Sequence, residues 1–207
     1  MTGCYLCLIE LLNFENIVLQ YGNDMLKIRL ERILKDLSFA IGGKEEVLSA
    51  FNFGSYIVVS TKGESDEELS ALAQAMMSYN KQALTFGYPH RGVIIRQRAM
   101  CLQSQGVEMF NSKALFEAKR ILTKQSIASI VVENELFAEK QELLERYIAT
   151  FEQKAVIKLH KYPLAALASQ GVKRSIESNF AKVGVDKSSA DYPLLTSLLQ
   201  FVEDENK

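Results

Sequence analysis

One stretch constrains this chain more than any other. Residues 47–60, VLSAFNFGSYIVVS, carry no charge, are rich in β-branched and aromatic side chains, and have Asn52-Phe53-Gly54-Ser55 at their middle. That pattern reads as two strands folded back on each other across a turn. A pair of apolar strands needs cover, and the flanking segments offer it. Upstream, residues 4–12 read as a first strand. From Asp24 to Ile41, the set Leu26, Leu30, Ile33, Leu34, Leu37 and Ile41 recurs at helical spacing, with Lys27, Arg29, Arg32 and Lys35 between. Gly42 and Gly43 stop that helix. Downstream, Ser65 and Glu68 form a capping box opening a helix with Leu69, Leu72, Met76, Tyr79 and Ala83 on its core face. RGVIIRQRAM is a further strand. Val107, Phe110, Ala114, Ala118 and Ile121 mark a helix, and residues 129–132 a last strand.

The order β-α-ββ-α-β-α-β predicts an α+β fold, a mixed and mainly antiparallel sheet with helices packed on it. After Asn134 the stripe Leu136, Leu143, Leu144, Tyr147, Ile148, Phe151 and Ala155 predicts an all-helical C-terminal extension. The expected division is residues 1–136 as one domain and 137–207 as the extension. The tail helices either pack on the chain's own sheet or dock a partner or a second copy.

Charge narrows the function classes. Lys and Arg total 24 against 25 Asp and Glu, so no basic excess supports nucleic-acid or acidic-membrane binding. No stretch is apolar for long enough to span a membrane. MTGCYLCLIE lacks a basic start and carries Glu10 inside its apolar run, so no signal peptide is expected. Three cysteines in 207 residues suit a reducing cytoplasm. Cys4 and Cys7 form a C-x-x-C, but on a strand their side chains face opposite ways and cannot share a metal. Cys101 stands alone, and His90 and His160 have no ligand at metal spacing. Glu10 is the anomaly: a lone acid in CLIELL costs several kcal/mol if buried without a partner. Either it is a ligand, or it pairs with a base that the sequence does not point to.

The strand order and several residues resemble the palm-like core of GGDEF diguanylate cyclases and class III nucleotide cyclases. IELLNFENIVLQYGND is similar to the GGDEF opening, with Glu10 on the first acid, Phe14 on the Phe, Tyr21-Gly22 on the tight turn and Asn23 on the His. Phe53-Gly54-Ser55-Tyr56-Ile57 takes the place of G-G-D-E-F itself, and KALFEAKR (113–120) that of the closing helix. HRGVII and ASIVVENELF look more like class III-type cyclase domains of bacteria. The resemblance covers about residues 5–136.

It implies a site for a nucleoside triphosphate and two divalent cations, Mg or Mn, held by carboxylates on neighbouring strands. Glu10 could be one such metal ligand. The second acid is replaced by Ser55, a neutral hydroxyl that does not offset a divalent charge. The guanine-reading positions fall on Val18 and Lys27, and the product-inhibition motif on Lys44 and Val47. Lys119 matches a phosphate-contacting Lys, with Arg120 adjacent; both also fit a solvated helix face. The resemblance therefore implies a relic nucleotide site at Glu10, Asn23, Gly54, Ser55, Lys119 and Arg120, with no catalytic residues and no cofactor. The expected function is a catalytically inactive, cyclase-like signalling module in the bacterial cytoplasm, a pseudoenzyme that regulates or binds proteins and forms a homodimer. The alternatives are an active cyclase drawing its second ligand from Glu15 or Asp24, and a weak nucleotide sensor.

Overall fold

In the computed structural model, which describes residues 3–20, 22–98, 100–104, 107–111, 113–160 and 166–205, the chain is built around β1 (Gly3–Leu11). Residues 5–9 of that strand are buried whichever way they point, as a strand covered on both faces requires. It lies antiparallel between β3 (Tyr56–Thr61) and β4 (His90–Arg98), and β2 (Leu48–Phe53) pairs with the outer side of β3. The uncharged stretch is thus the hairpin its composition predicts. Phe53 pairs with Tyr56 across Gly54-Ser55, and Gly54 takes φ 59°, the positive value wanted at the first position of a type II′ turn.

β7 (Ile130–Val132) joins β4 in parallel. β9 (Lys154–Ile157) and β8 (Ile148–Phe151) complete a seven-stranded sheet of order β2-β3-β1-β4-β7-β9-β8. Only the β4–β7 pairing is parallel, so the sheet is mixed and mainly antiparallel, and the fold is α+β. β5 (Met100–Ser104) and β6 (Val107–Asn111) pair as a separate ribbon.

The helices are α1 (Phe14–Gln20), α2 (Asn23–Ile41), α3 (Asp66–Phe86), α4 (Lys113–Thr123), α5 (Asn134–Glu139), α6 (Gln141–Leu144), α7 (Ala166–Lys182) and α8 (Tyr192–Asp204). Leu8 and Glu10 of β1 face α4, whereas His90, opposite Leu11, faces Tyr79 of α3. α3 opens on the expected capping box, Ser65 accepting from the Glu68 N–H and Glu68 from the Ser65 N–H. Its core face is Leu69, Leu72, Met76, Tyr79 and Ala83, all buried, and α2 and α7 pack beside it. Buried amides tie these layers together. Asn80 donates to Ser129 Oγ at 2.9 Å and to the Ile157 carbonyl at 3.1 Å, and Asn179 donates to the Leu84 carbonyl at 3.0 Å.

Three expectations need correction. Residues 107–111 form a strand, and α4 starts only at Lys113. Val107 and Phe110 fit helical spacing, but Val107 and Met109 fit strand spacing equally, and so short a run does not discriminate. The region after residue 136 is not all-helical, because residues 148–157 form the β8–β9 hairpin and extend the sheet. Its turn residues Glu152 and Gln153 have φ of 47° and 63°, a type I′ geometry written without the Asn-Gly that announces it. Leu34 is exposed, and Ala40 takes a core place on α2 instead.

Cys4 and Cys7 are buried and in no disulfide, and burial pushes the Cys7 thiol far up, so it is inert. Tyr21 and the Cys101 side chain lie outside the described residues. Among those described, no helix is long and apolar enough to cross a membrane.

Removing the cap hydroxyl in Ser65→Ala is expected to cost about 1 kcal/mol, read as a Tm lowered by roughly 2–4 °C. His90 gives a pH signature. It is fully buried, its Nδ1–H donates to the Tyr88 carbonyl at 3.2 Å, and burial lowers its pKa from 6.5 to about 4. Between those values the unfolded chain holds the extra proton, so stability falls as pH drops from 6.5 toward 4. The loss reaches about 3 kcal/mol. Denaturant titrations across that range should show it in the parent protein and lack it in His90→Phe.

Candidate functional site

Three strands place three polar side chains in a row. Register sets Glu10 opposite Tyr56 on one side and opposite Arg91 on the other. The Tyr56 hydroxyl donates to Glu10 Oε1 at 3.1 Å, and Arg91 Nε donates to Oε2 at 2.7 Å. The side chains of Arg91 and Glu10 are only 17% and 22% exposed, so the pair is largely withdrawn from water. Burial and the adjacent Glu10 charge push Tyr56 up to about 12, which keeps its proton in place as the donor. Asp191, just before α8, is raised by burial; Arg91 pulls it down and Glu10 pushes it up, so it lies in the field of the same pair.

Local folding explains the placement. Glu10 is the penultimate residue of β1, and beyond Leu11 the chain turns through Asn13 at φ 54°, a left-handed conformation that Asn tolerates. The Asn13 amide donates to the Val183 carbonyl at 2.5 Å, fixing the turn. The Leu11 N–H donates to the Ser55 carbonyl at 2.8 Å and brings the hairpin tip beside it. Glu10, Asn13, Glu15, Asn16, Ser55 and Tyr56 border a cleft of about 240 Å³.

The residues singled out from sequence converge in part. Glu10 and Ser55 share that cleft, and Gly54 is at its edge in the turn. Lys119 of α4 has Nζ 5.4 Å from the Tyr56 ring centroid. Arg120 follows it on α4, exposed. Asn23 opens α2, but its side chain lies outside the described residues, and Val18 and Lys27 are on α1 and α2. A Cβ built on Gly54 meets nothing within 4 Å, so glycine serves the turn there rather than a close approach.

Glu15 borders the same cleft as Glu10 and is the one acid of the alternative reading that does so, but the Glu10 side is a poor fit for a divalent cation. Both Glu10 oxygens already accept hydrogen bonds, the hairpin offers a hydroxyl, and a guanidinium stands 2.7 Å away. At about 4 Å, two unit charges interact by roughly 4 kcal/mol at intermediate dielectric, so a divalent cation beside Arg91 is repelled by about twice that. Among the described residues no group of three or more His, Cys, Asp or Glu could hold a metal ion. Sequence reasoning missed Arg91 and Asp191. An acid inside an apolar strand signals a buried base, but only the β1–β4 register says which.

The sequence matches no protein-family model and no curated protein. Solved structures do match the fold. The monomeric guanylyl cyclase domain of the RhoGC fusion protein from the aquatic fungus Blastocladiella emersonii superposes with a TM-score of 0.59 at 8% identity, over 75% of this chain and 93% of that one. The adenylyl cyclase CyaB from P. aeruginosa gives 0.51 at 10% identity, over 75% and 91%. A bacterial light-regulated adenylyl cyclase gives 0.53 at 12%, over 84% and 98%. At such identities the likeness is one of fold. The chain has a nucleotide-cyclase-like fold, and these neighbours lie on the class III side of the two resemblances.

Removing Arg91 leaves the Glu10 charge largely buried and unpaired. Arg91→Ala is expected to destabilise by about 2–3 kcal/mol, somewhat less than the roughly 3–5 of a fully buried pair. Arg91→Ala combined with Glu10→Gln should cost less than Arg91→Ala alone, which a double-mutant cycle by chemical denaturation reads directly.

Proposed function

We propose that this chain is a cyclase-fold module without metal-dependent triphosphate chemistry, acting as a regulatory or protein-interaction domain. The observation that carries the reading is the occupied carboxylate: Glu10 gives one oxygen to Tyr56 and the other to Arg91. In-line transfer of a phosphoryl or nucleotidyl group needs anions that hold cations against the triphosphate. Here the acid on β1 is neutralised internally, and the hairpin supplies Ser55 where the GGDEF-like pattern has an acid. The scaffold supports a role in binding, since the sheet, the tight turn and the helix bearing Lys119 are all retained.

Incubation with each of the four nucleoside triphosphates and Mg²⁺ or Mn²⁺, read by mass spectrometry, is expected to yield no cyclic or linked nucleotide above a protein-free control. Turnover that disappears in Glu10→Gln, with the circular-dichroism spectrum unchanged, overturns the proposal.

A further inference from the structure

The surface beside this site carries a second reading, which deepens the proposal of a binding module and rests on it. β2 is the outermost strand of the sheet, and among the described residues no strand pairs with its outer side. The Val47 carbonyl accepts from the Lys62 N–H, and the two-residue turn makes Phe53 and Tyr56 a hydrogen-bonded pair. Alternation then leaves Ala50 and Asn52 with their N–H and C=O groups directed away from β3, while the outward Leu48 N–H already donates to the Lys44 carbonyl at 2.8 Å. Such an edge is a template for another strand, and proteins commonly guard it with charge or proline. Residues 48–56 contain neither.

Next to this edge is an apolar cleft of about 220 Å³, bordered by Leu8, Phe53, Tyr56, Leu115, Phe116 and Lys119. Phe53 is 45% exposed and Phe116 70% exposed, although both are large and apolar. On α4, Lys119 and Arg120 stand three and four residues from Phe116 and so share its face. Glu117 accepts from Gln97 and pairs with Lys113, which leaves Lys119 and Arg120 as the cations beside Phe116. The surface therefore joins an open strand edge, one aromatic-lined cleft and two flanking cations.

We infer that β2 and α4 together form a docking site for an extended acidic peptide, which adds to the sheet as a strand alongside β2. Backbone hydrogen bonds to Ala50 and Asn52 supply register. A bulky apolar side chain enters the cleft between Phe53 and Phe116, and acidic side chains two residues to either side, on the same face of the added strand, meet the α4 cations. Charge sets the choice of partner: a basic segment is repelled from this face and an acidic one attracted.

The test uses the full chain and a labelled probe, Thr-Glu-Thr-Phe-Thr-Glu-Thr, whose Phe and two Glu share one face of a strand. Fluorescence anisotropy should show saturable binding, at least about tenfold tighter than for the same peptide with Lys in place of Glu. Binding should also weaken as salt rises. Ala50→Pro removes an outward N–H and no bond to β3, so it should abolish binding with the fold intact. Lys119→Glu with Arg120→Glu, both on the exposed surface, should reverse the preference toward the Lys peptide. No binding, binding indifferent to charge, or binding retained in Ala50→Pro overturns the inference. So does sedimentation showing a dimer that Ala50→Pro dissolves while the probe fails to bind, because the edge would then belong to a second copy. Peptide binding and nucleotide turnover are separate readouts, so failure of the docking site is distinguishable from failure of the chemistry-free assignment.

Discussion

Glu10 is held between Tyr56 and Arg91, and that grip ties the register of three adjacent strands to one charge. A slip of a single residue between β1 and either neighbour would turn the carboxylate toward α3 and into the layer of Leu72, Met76 and Tyr79. There it would find no base and would bear the desolvation of an isolated charge, several kcal/mol in practice. Apolar strands such as residues 4–9 and 92–95 offer little discrimination on their own, because they are buried on both faces. The acid therefore makes one register far better than its alternatives, and the hairpin, the helix over it and the cleft all follow from that alignment.

The same pair is what the proposed reading of the site rests on. A carboxylate facing water can take a cation from solution, whereas one already satisfied by a guanidinium must give up that bond first. Arg91 binds through a directed N–H, and Tyr56 keeps its proton because its ionisation is pushed up to about 12, so both partners remain donors across the ordinary pH range. The resemblance anticipated a nucleotide-cyclase-like scaffold, and the structures that match it are guanylyl and adenylyl cyclase domains. It also singled out Glu10, without indicating that Arg91 and Tyr56 would be its partners.

How much was legible depended on how local the physics was. The β2–β3 hairpin could be read because Gly54 supplies a positive φ at the required place, and the start of α3 because Ser65 and Glu68 are a reciprocal cap within one turn. The strand face of Cys4 and Cys7 followed from period-two alternation alone. Arg91 could not be assigned to Glu10, since the contact spans 81 positions and depends on a register set by the whole sheet. The ribbon at 148–157 hid for the opposite reason: its turn is local, but its residues are not those that such a turn favours.

That turn has a consequence for how the molecule assembles. Glu152 and Gln153 both sit at positive φ, which costs roughly 1–2 kcal/mol for each residue bearing a Cβ. With only four residues in each arm, β8 and β9 gain too little by themselves to hold the bend closed. Their support is tertiary: Ile157 offers its carbonyl to Asn80, and Phe151 meets Phe201 edge-on with ring centroids 5.6 Å apart. The ribbon thus depends on α3 and α8 being in place for its own stability. Loosening either helix would therefore free the ribbon and bare the β7 backbone that β9 now pairs with, an edge open to other strands.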